Sequence, residues 1–205
     1  MESTKTRILK KLLETDGYLS GQELCEQMGV SRTAVWKYMK QLKEEGYEIE
    51  AVQNKGYCLK DVPDVLGESE IKSRLHTRWA GQTLYYYDEI DSTNTQIKRL
   101  AEEDAPHGTL AVADYQSRGK GRRGRAWDSP HGSAIYMSIL FRPEIRPDRA
   151  SMLTLVIGLS VTQAIRSNLG LQAQIKWPND VVLNGKKLVG ILTEMSAQMN
   201  YIEYL

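Results

Sequence analysis

The chain has 205 residues, 41% hydrophobic and 26% charged, with a formal net charge of +1. That length allows one ordinary domain and a smaller one. The composition excludes an intrinsically disordered chain, and the near-neutral charge excludes a global basic field as the means of holding nucleic acid.

Two cysteines, Cys25 and Cys58, lack CxxC spacing, and His76, His107 and His131 are scattered. Neither a disulfide framework nor a Cys- or His-based metal site is expected, and no metal ligand is assigned. The opening "MESTKTRILKKLLETDG" has no long apolar core, so no signal peptide is expected. No run approaches the ~18 apolar residues of a membrane span. A cytoplasmic setting without a membrane partner is the expectation.

In chain order, Ile8, Leu9, Leu12 and Leu13 recur at helical spacing until Asp16-Gly17. Ser20, with Glu23 three residues on, is a capping box opening a second helix that Gly29 stops. Ser31 caps a third, "RTAVWKYMKQLKEEG", with Val35, Met39 and Leu42 on one face. The alternation of Tyr47, Ile49 and Ala51, the turn Asn54-Lys55-Gly56, and then Tyr57 and Leu59 predict a β-hairpin. Three helices and a hairpin wing make a winged helix-turn-helix over residues 1–61. A recognition helix reads the major groove near its N-terminus, which here offers Arg32, Thr33, Trp36 and Lys37, with Lys40 one turn on and Lys55 at the wing tip. Such units also serve as protein-interaction modules, and helix lysines are commonly a solvated face. The first 60 residues carry ten Lys/Arg against nine Asp/Glu, so affinity must come from local patches.

Pro63 and Gly67 punctuate a linker, 62–68, and residues 69–205 mix strands and helices. "TLYYYDEI" predicts a strand leading to a helix capped around Asp91 to Thr93, and "GTLAVADYQ" a strand feeding a basic loop. "GSAIYMSILFRP" predicts a strand with Ile135, Met137, Ile139 and Phe141 on one face. "RASMLTLVIGLSVTQAIRSNLG" predicts a long apolar helix ending at Gly170. Asn184-Gly185 joins two strands in the strongest short hairpin signal of the chain. The second domain is therefore expected to be α+β, a mixed, largely antiparallel sheet with helices on one face.

From Arg118 to Arg125 the loop "QSRGKGRRGRAW" holds five cations, three glycines and no acid. Glycine lets backbone N–H groups approach an anion, and the interleaved cations would neutralise phosphate oxygens. The same residues suit a nucleic-acid patch, and both readings stay open on this chemistry alone. "DSTN", 91–94, is an adequate helix cap or a corner facing a ligand. "KWPND", 176–180, is a turn with an unusual cluster of Lys, Trp and Asp, and Lys187 follows the hairpin turn.

The segments "EIDSTN", "QSRGKGRRGRAW" and "KWPNDVVLNGKKLVGIL", following a winged unit, closely resemble the bifunctional biotin protein ligase/biotin operon repressor family over essentially the whole chain. The resemblance implies a class II synthetase-like ligase domain that makes biotinyl-5′-AMP from biotin and ATP with Mg²⁺. It further implies transfer of biotin to a lysine of a biotin carboxyl carrier domain, and repression of operator DNA by a homodimer of the adenylate-bound protein. By motif, Ser92, Thr93, Asn94, Gln116 and the backbone of Gly119, Lys120 and Gly121 would meet biotin. Arg122 would hold the intermediate and phosphates, with Arg123 a helper, Trp127 would stack on adenine, and Lys187 would reach the carboxylate and phosphate. Lys176 and Asp180 would stabilise charge, position metal or orient the acceptor lysine. Lys120 stands where the family more often has Arg. The family continues beyond the position of Leu205 with a glycine-rich strand and a small β-barrel, so a truncated ligase domain is expected. Two other readings follow: a purely regulatory biotin-sensing DNA-binding protein, and a lipoate-type ligase, which the basic loop with "KWPND" disfavours.

Overall fold

The computed structural model describes residues 3–205; Met1 and Glu2, which begin the segment read for a signal peptide, lie outside the described residues. The chain divides into two compact units, one ending at Gln82 and one spanning Thr83–Leu205.

In the first unit, α1 (Thr4–Glu14), α2 (Gly21–Met28) and α3 (Arg32–Glu44) each begin at a serine whose side chain accepts from a backbone N–H of the first turn. These caps satisfy donors that the helices themselves leave orphaned. Gly29 closes α2 in the left-handed region at φ 70°. The apolar stripes meet in one core containing Ile8, Leu9, Leu12, Leu24, Val35, Met39 and Leu42, extended by Tyr47 and Ile49. Each such side chain contributes about 1.5–3 kcal/mol on burial.

The wing pairs β1 (Glu48–Val52) antiparallel with β2 (Gly56–Asp61). Leu19, between α1 and α2, adds a third rung: it exchanges N–H···O bonds of 2.7 and 2.9 Å with Tyr57. Gly56 makes that approach possible, since a Cβ there would lie 2.1 Å from the Leu19 carbonyl oxygen and its φ is +110°.

Helix α4 (Glu68–Ser73) belongs to the same unit. The Thr6 hydroxyl of α1 donates to Ser69 at 3.4 Å, and the Tyr47 hydroxyl donates to Glu70 at 2.6 Å. Burial, and then that bond, push the Tyr47 phenol above its ordinary range. Residues 69–82 thus group with the winged unit rather than with the second domain to which the sequence reading assigned them.

In the second unit, β3 (Leu84–Ile90) runs parallel to β4 (Leu110–Gln116), with α5 (Thr93–Glu102) as the crossover, and β5 (Tyr136–Ile139) runs antiparallel to β4. Ile97, Leu100 and Ala101 of α5 pack with Ala111 and Leu140. After α6 (Ala150–Leu169) comes a second antiparallel sheet of β6 (Gln174–Lys176), β7 (Asp180–Leu183) and β8 (Lys186–Gly190). Asn184 and Gly185, at φ 50° and 76°, form the two-residue turn whose twist suits a hairpin. A short ribbon of β9 (Ser196–Ala197) and β10 (Ile202–Tyr204) ends the chain, and Leu205 exchanges backbone bonds of 2.8 and 2.9 Å with Phe141. Only the β3–β4 pairing is parallel among the described strands, as an α+β, largely antiparallel arrangement requires.

Two sequence expectations change. Along β5 the inward phase is Tyr136, Ser138 and Leu140, whereas Ile135 and Met137 are 67% and 52% exposed. Polar contacts set this phase: the Ser138 hydroxyl meets Thr93 and Asn94, and the Tyr136 hydroxyl donates to the Pro130 carbonyl. The apolar helix α6 buries Ala150, Gly158 and Thr162 but leaves Met152, Val156 and Leu159 about half exposed. Over Pro147–Leu169 it is long and apolar enough, by length and composition, to cross a membrane. The expectation that no segment approaches such a length is corrected to that extent.

Gly29→Ala should destabilise the first unit by about 1–2 kcal/mol, the cost of left-handed backbone alone. Gly56→Ala should cost more, because its methyl group would overlap the Leu19 carbonyl as well. Urea unfolding of the two variants checks this order.

Candidate DNA-reading face and candidate ligand site

In α3, the residues opposite the core are Arg32, Thr33, Trp36, Lys37 and Lys40, and all five are exposed. Their spacing puts them along one side of the helix. Trp36, at 59% exposure, is a large aromatic left outside the core. Arg32 is held at 2.9 Å by the Gln22 side-chain oxygen of α2, and Lys40 lies 3.7 Å from Glu44. Lys55 stands at the wing turn beside the Tyr18 ring, with Lys60 also over that ring. Glu50 accepts from Tyr18 at 2.6 Å and lies 3.0 Å from Lys60. The hydrogen bond to Glu50 raises the Tyr18 phenol above its ordinary range, and the bond from Tyr18 lowers the Glu50 carboxyl.

In the second unit a polar corner forms where β3 enters α5. Ser92 is the N-cap residue by position but makes no side-chain capping bond. The Thr93 N–H and hydroxyl instead donate to Gln116 Oε1 at 2.9 and 3.1 Å, so a side chain at the end of β4 caps the helix. Gln116 Nε2 donates to Ser129 Oγ at 3.0 Å, reaching the return limb of the basic loop. The Ser138 hydroxyl donates to Thr93 Oγ1 at 2.9 Å and also meets Asn94 Oδ1. Asn94 Nδ2 donates to Glu194 at 3.0 Å, and Lys98 pairs with the other Glu194 oxygen at 2.9 Å. Ser92, Thr93, Ser129 and Ser138 are all buried. A buried set of this kind is costly unless its members find partners, and the hydroxyls of Thr93, Ser129 and Ser138 do.

The basic loop folds back as a tight hairpin. Gly121 N–H donates to Arg125 O at 2.7 Å and Trp127 N–H to Gly119 O at 2.9 Å, around a single 3-10 turn at Arg122–Gly124. Arg123 and Gly124 turn the tip with φ of 57° and 71°. At its foot, Arg118 N–H donates to Asp91 O at 2.8 Å. Gly119 permits the closure, because a Cβ there would sit 2.3 Å from Trp127 O and 2.7 Å from Ser129 Oγ.

This hairpin reaches the second sheet. Arg122 donates to Asn179 Oδ1 at 2.8 Å. Lys187 Nζ lies 2.7 Å from Asp180 Oδ1 and 4.8 Å from the centre of the Trp127 ring. No aligned hydrogen bond reaches that Asp180 oxygen, so the contact is a Coulombic pair set by distance. Gly190 underlies the stack: a Cβ would lie 3.0 Å from both Lys187 Cε and the Trp127 ring. Lys176 is exposed and stands across the ladder from Asp180. Beside Arg122, α6 and residues 177–179 and 191–193 enclose a cavity of about 330 Å³. The structure therefore brings together Ser92, Thr93, Asn94, Gln116 and Gly119 at one corner, and Arg122, Trp127, Asp180 and Lys187 at a neighbouring one. Exposed Lys120 pairs across the hairpin with Ala126.

Comparison with known proteins bears on both units. Residues 86–202, more than half the chain, match the biotin/lipoate A/B protein ligase family. The chain belongs to that family. Residues 4–58 match an HTH domain. The bifunctional ligase/repressor BirA of Bacillus subtilis is 46% identical over 200 residues, covering 97% of this chain and 62% of that protein. The namesake from Escherichia coli is 36% identical over 188 residues, covering 91% and 57%. Among solved structures, the biotin protein ligase from Aquifex aeolicus in complex with biotin and ATP is similar at 38% identity, with a TM-score of 0.48, over 59% of this chain and 50% of that one. The chain thus spans less than two thirds of the length of these relatives.

In this member of the biotin/lipoate A/B protein ligase family, sequence reading missed Ser129, Ser138, Asn179, Lys98 and Glu194. Asn179 lay inside the quoted "KWPND" and could have been named. Ser138 occupied what seemed the outward phase of a strand, and nothing local marks Glu194, which lies 100 residues from Asn94.

Arg99 donates to Asp91 at 2.6 Å, and this bond, chiefly, holds the Asp91 carboxyl below its ordinary value against opposing burial. A carboxyl depressed on folding contributes stability at neutral pH that is lost as pH falls through its folded value, below about pH 4. Asp91→Asn should remove that part of the acid dependence in thermal melts, by at most about 1 kcal/mol because Arg99 is half exposed. Gly190→Ala should part Trp127 from Lys187, read as a moved Trp127 indole N–H resonance.

Proposed function

We propose that this chain is the DNA-binding and catalytic portion of a biotin protein ligase that also represses transcription. The carrying observation is the convergence of Arg122, Lys187 and Trp127 on the 176–190 hairpins, next to the part-buried polar corner of Thr93, Asn94 and Gln116. That pairing fits a ligand with a polar, uncharged head at the corner and a phosphate at the cations.

In the first step the biotin carboxylate oxygen attacks the α-phosphorus of ATP, the bond to pyrophosphate breaks, and biotinyl-5′-AMP forms. Negative charge gathers on the phosphoryl oxygens, and preorganised cations stabilise it better than water can. Arg122 and Lys187 take that role, with Trp127 stacking on adenine. In the second step a lysine amine of a biotin carboxyl carrier domain attacks the mixed anhydride carbonyl and AMP leaves. Lys176 and Asp180 would orient that amine. The loop hairpin shields the anhydride from hydrolysis. Gly119, Lys120 and Gly121 offer backbone to the biotin side, and Ser92 shapes the corner.

For Mg²⁺, the described residues bring no three His, Cys, Asp or Glu side chains together around an ion. Asp180 would meet an ion carried by the nucleotide phosphates, the usual habit of Mg²⁺. Bound there, it would supply neutralisation of phosphate charge. In the winged unit, Arg32 and Thr33 would contact base edges and Lys37, Lys40 and Lys55 phosphates, with Trp36 between them. Dimerisation with adenylate bound and a cytoplasmic setting complete the reading.

Mass spectrometry after incubation with biotin, ATP and Mg²⁺ should detect biotinyl-5′-AMP, and Arg122→Ala and Lys187→Ala should each lower its formation by about 10²–10³-fold. Biotin-dependent DNA binding with no adenylate would leave only a regulatory sensor. Arg32→Ala should weaken operator binding by about 1–3 kcal/mol and leave adenylate formation alone.

A further inference from the structure

We infer that Glu194, paired with Lys98, is a positioning residue that sets the orientation of the Asn94 carboxamide and thereby selects a cyclic urea head over an apolar ring. The inference rests on the proposed biotin site and deepens it.

A carboxamide can be turned either way round, and its surroundings decide which way it faces. Glu194 offers only acceptor oxygens when ionised, so it takes the N–H side of Asn94, at 3.0 Å. A carbonyl oxygen there would face a carboxylate with no proton between them. Asn94 Oδ1 is consequently turned to the Ser138 hydroxyl. Lys98, 2.9 Å away on the other carboxylate oxygen, keeps Glu194 ionised and in place. Burial alone would raise the Glu194 carboxyl, but the bonds from Asn94 and Lys98 outweigh it and the net displacement is downward.

Ser138 has a single proton to share between Thr93 Oγ1 and Asn94 Oδ1, so the Asn94 oxygen retains capacity to accept. The Thr93 hydroxyl is committed as a donor to Gln116, which leaves its oxygen an acceptor toward Ser138. The corner thus presents a fixed acceptor, Asn94 Oδ1. A cyclic urea carries N–H donors that such an acceptor can meet. A dithiolane ring supplies no N–H and would leave the remaining accepting capacity of Asn94 Oδ1 unused, so the site would favour the urea. Glu194 is not proposed to touch the ligand; it acts through Asn94.

The test uses the whole chain and the variants Glu194→Ala, Glu194→Gln, Asn94→Ala and the double variant, with biotin and lipoic acid as probes in calorimetric titration. Glu194→Ala should weaken biotin binding by about 10-fold, about the loss of one well-placed hydrogen bond. Its KM for biotin should rise more than kcat falls. Glu194→Gln, which can still present an oxygen to Asn94, should recover most of the affinity. Adding Glu194→Ala to Asn94→Ala should cost nothing further, because one residue works through the other. Additive losses, or no recovery by glutamine, would overturn the inference. The Asn94 side-chain amide protons supply a reading independent of biotin. Their NMR resonances should shift and exchange faster in Glu194→Ala, and unchanged resonances would overturn the inference even if the unmutated chain bound no biotin. Failure of the unmutated chain to bind biotin, with those resonances shifted, would count against the proposed substrate alone.

Discussion

The N–H and hydroxyl of Thr93 both end on Oε1 of Gln116, while Nε2 of the same amide ends on Ser129. One side chain thereby ties together the start of α5, the end of β4 and the return limb of the basic loop. Because Ser92 makes no capping bond, the first turn of α5 has no side-chain cap of its own and depends on this distant donor-acceptor group. The loop closes so tightly on Gly119 that Trp127 lands above β8, where Lys187 meets it. Without the Gln116 bridge, neither the polar corner nor the placement of the cations would follow from the strands alone.

The cations are held differently from one another. Arg122 is oriented by Asn179, a neutral partner, so its position is fixed while its charge is left uncancelled. Lys187 faces Asp180, an acid, and is also braced by an indole. A neutral tether is the better arrangement for a group proposed to meet phosphate, since the pairing need not first be broken at electrostatic cost.

Much of the winged unit was legible because its signals are local. Ser20 and Ser31 cap, Gly29 stops, and Val35, Met39 and Leu42 mark a buried stripe, all within a few residues of the structure they specify. The Asn184-Gly185 turn was legible for the same reason. What escaped was non-local. Leu19 pairs with Tyr57, a partner far along the chain that no local window detects. Ile135 and Met137 do share one face, but hydrogen bonds from Ser138 to Thr93 and Asn94 turn the opposite face inward, which the alternation alone does not tell. The outward apolar face of α6 was likewise beyond periodicity, since a helix apolar on most sides reads as buried whether or not it is. Of the residues named from motifs, Ser92, Thr93, Asn94, Gln116, Gly119, Arg122, Trp127, Asp180 and Lys187 lie in the two corners described, whereas the groups that orient them, Glu194 and Ser129 among them, carry no motif.

The pairing of Leu19 with Tyr57 has a mechanical side. It fastens the wing to the corner before α2, and Gln22 of α2 in turn grips Arg32 at the head of α3. Lys55 and Arg32 consequently stand on one braced frame and cannot drift independently. In the proposed DNA-binding role such a frame would act as a ruler: the distance between the helix contact and the wing contact would be set by the protein, and a duplex with a different groove width would have to deform to fit it.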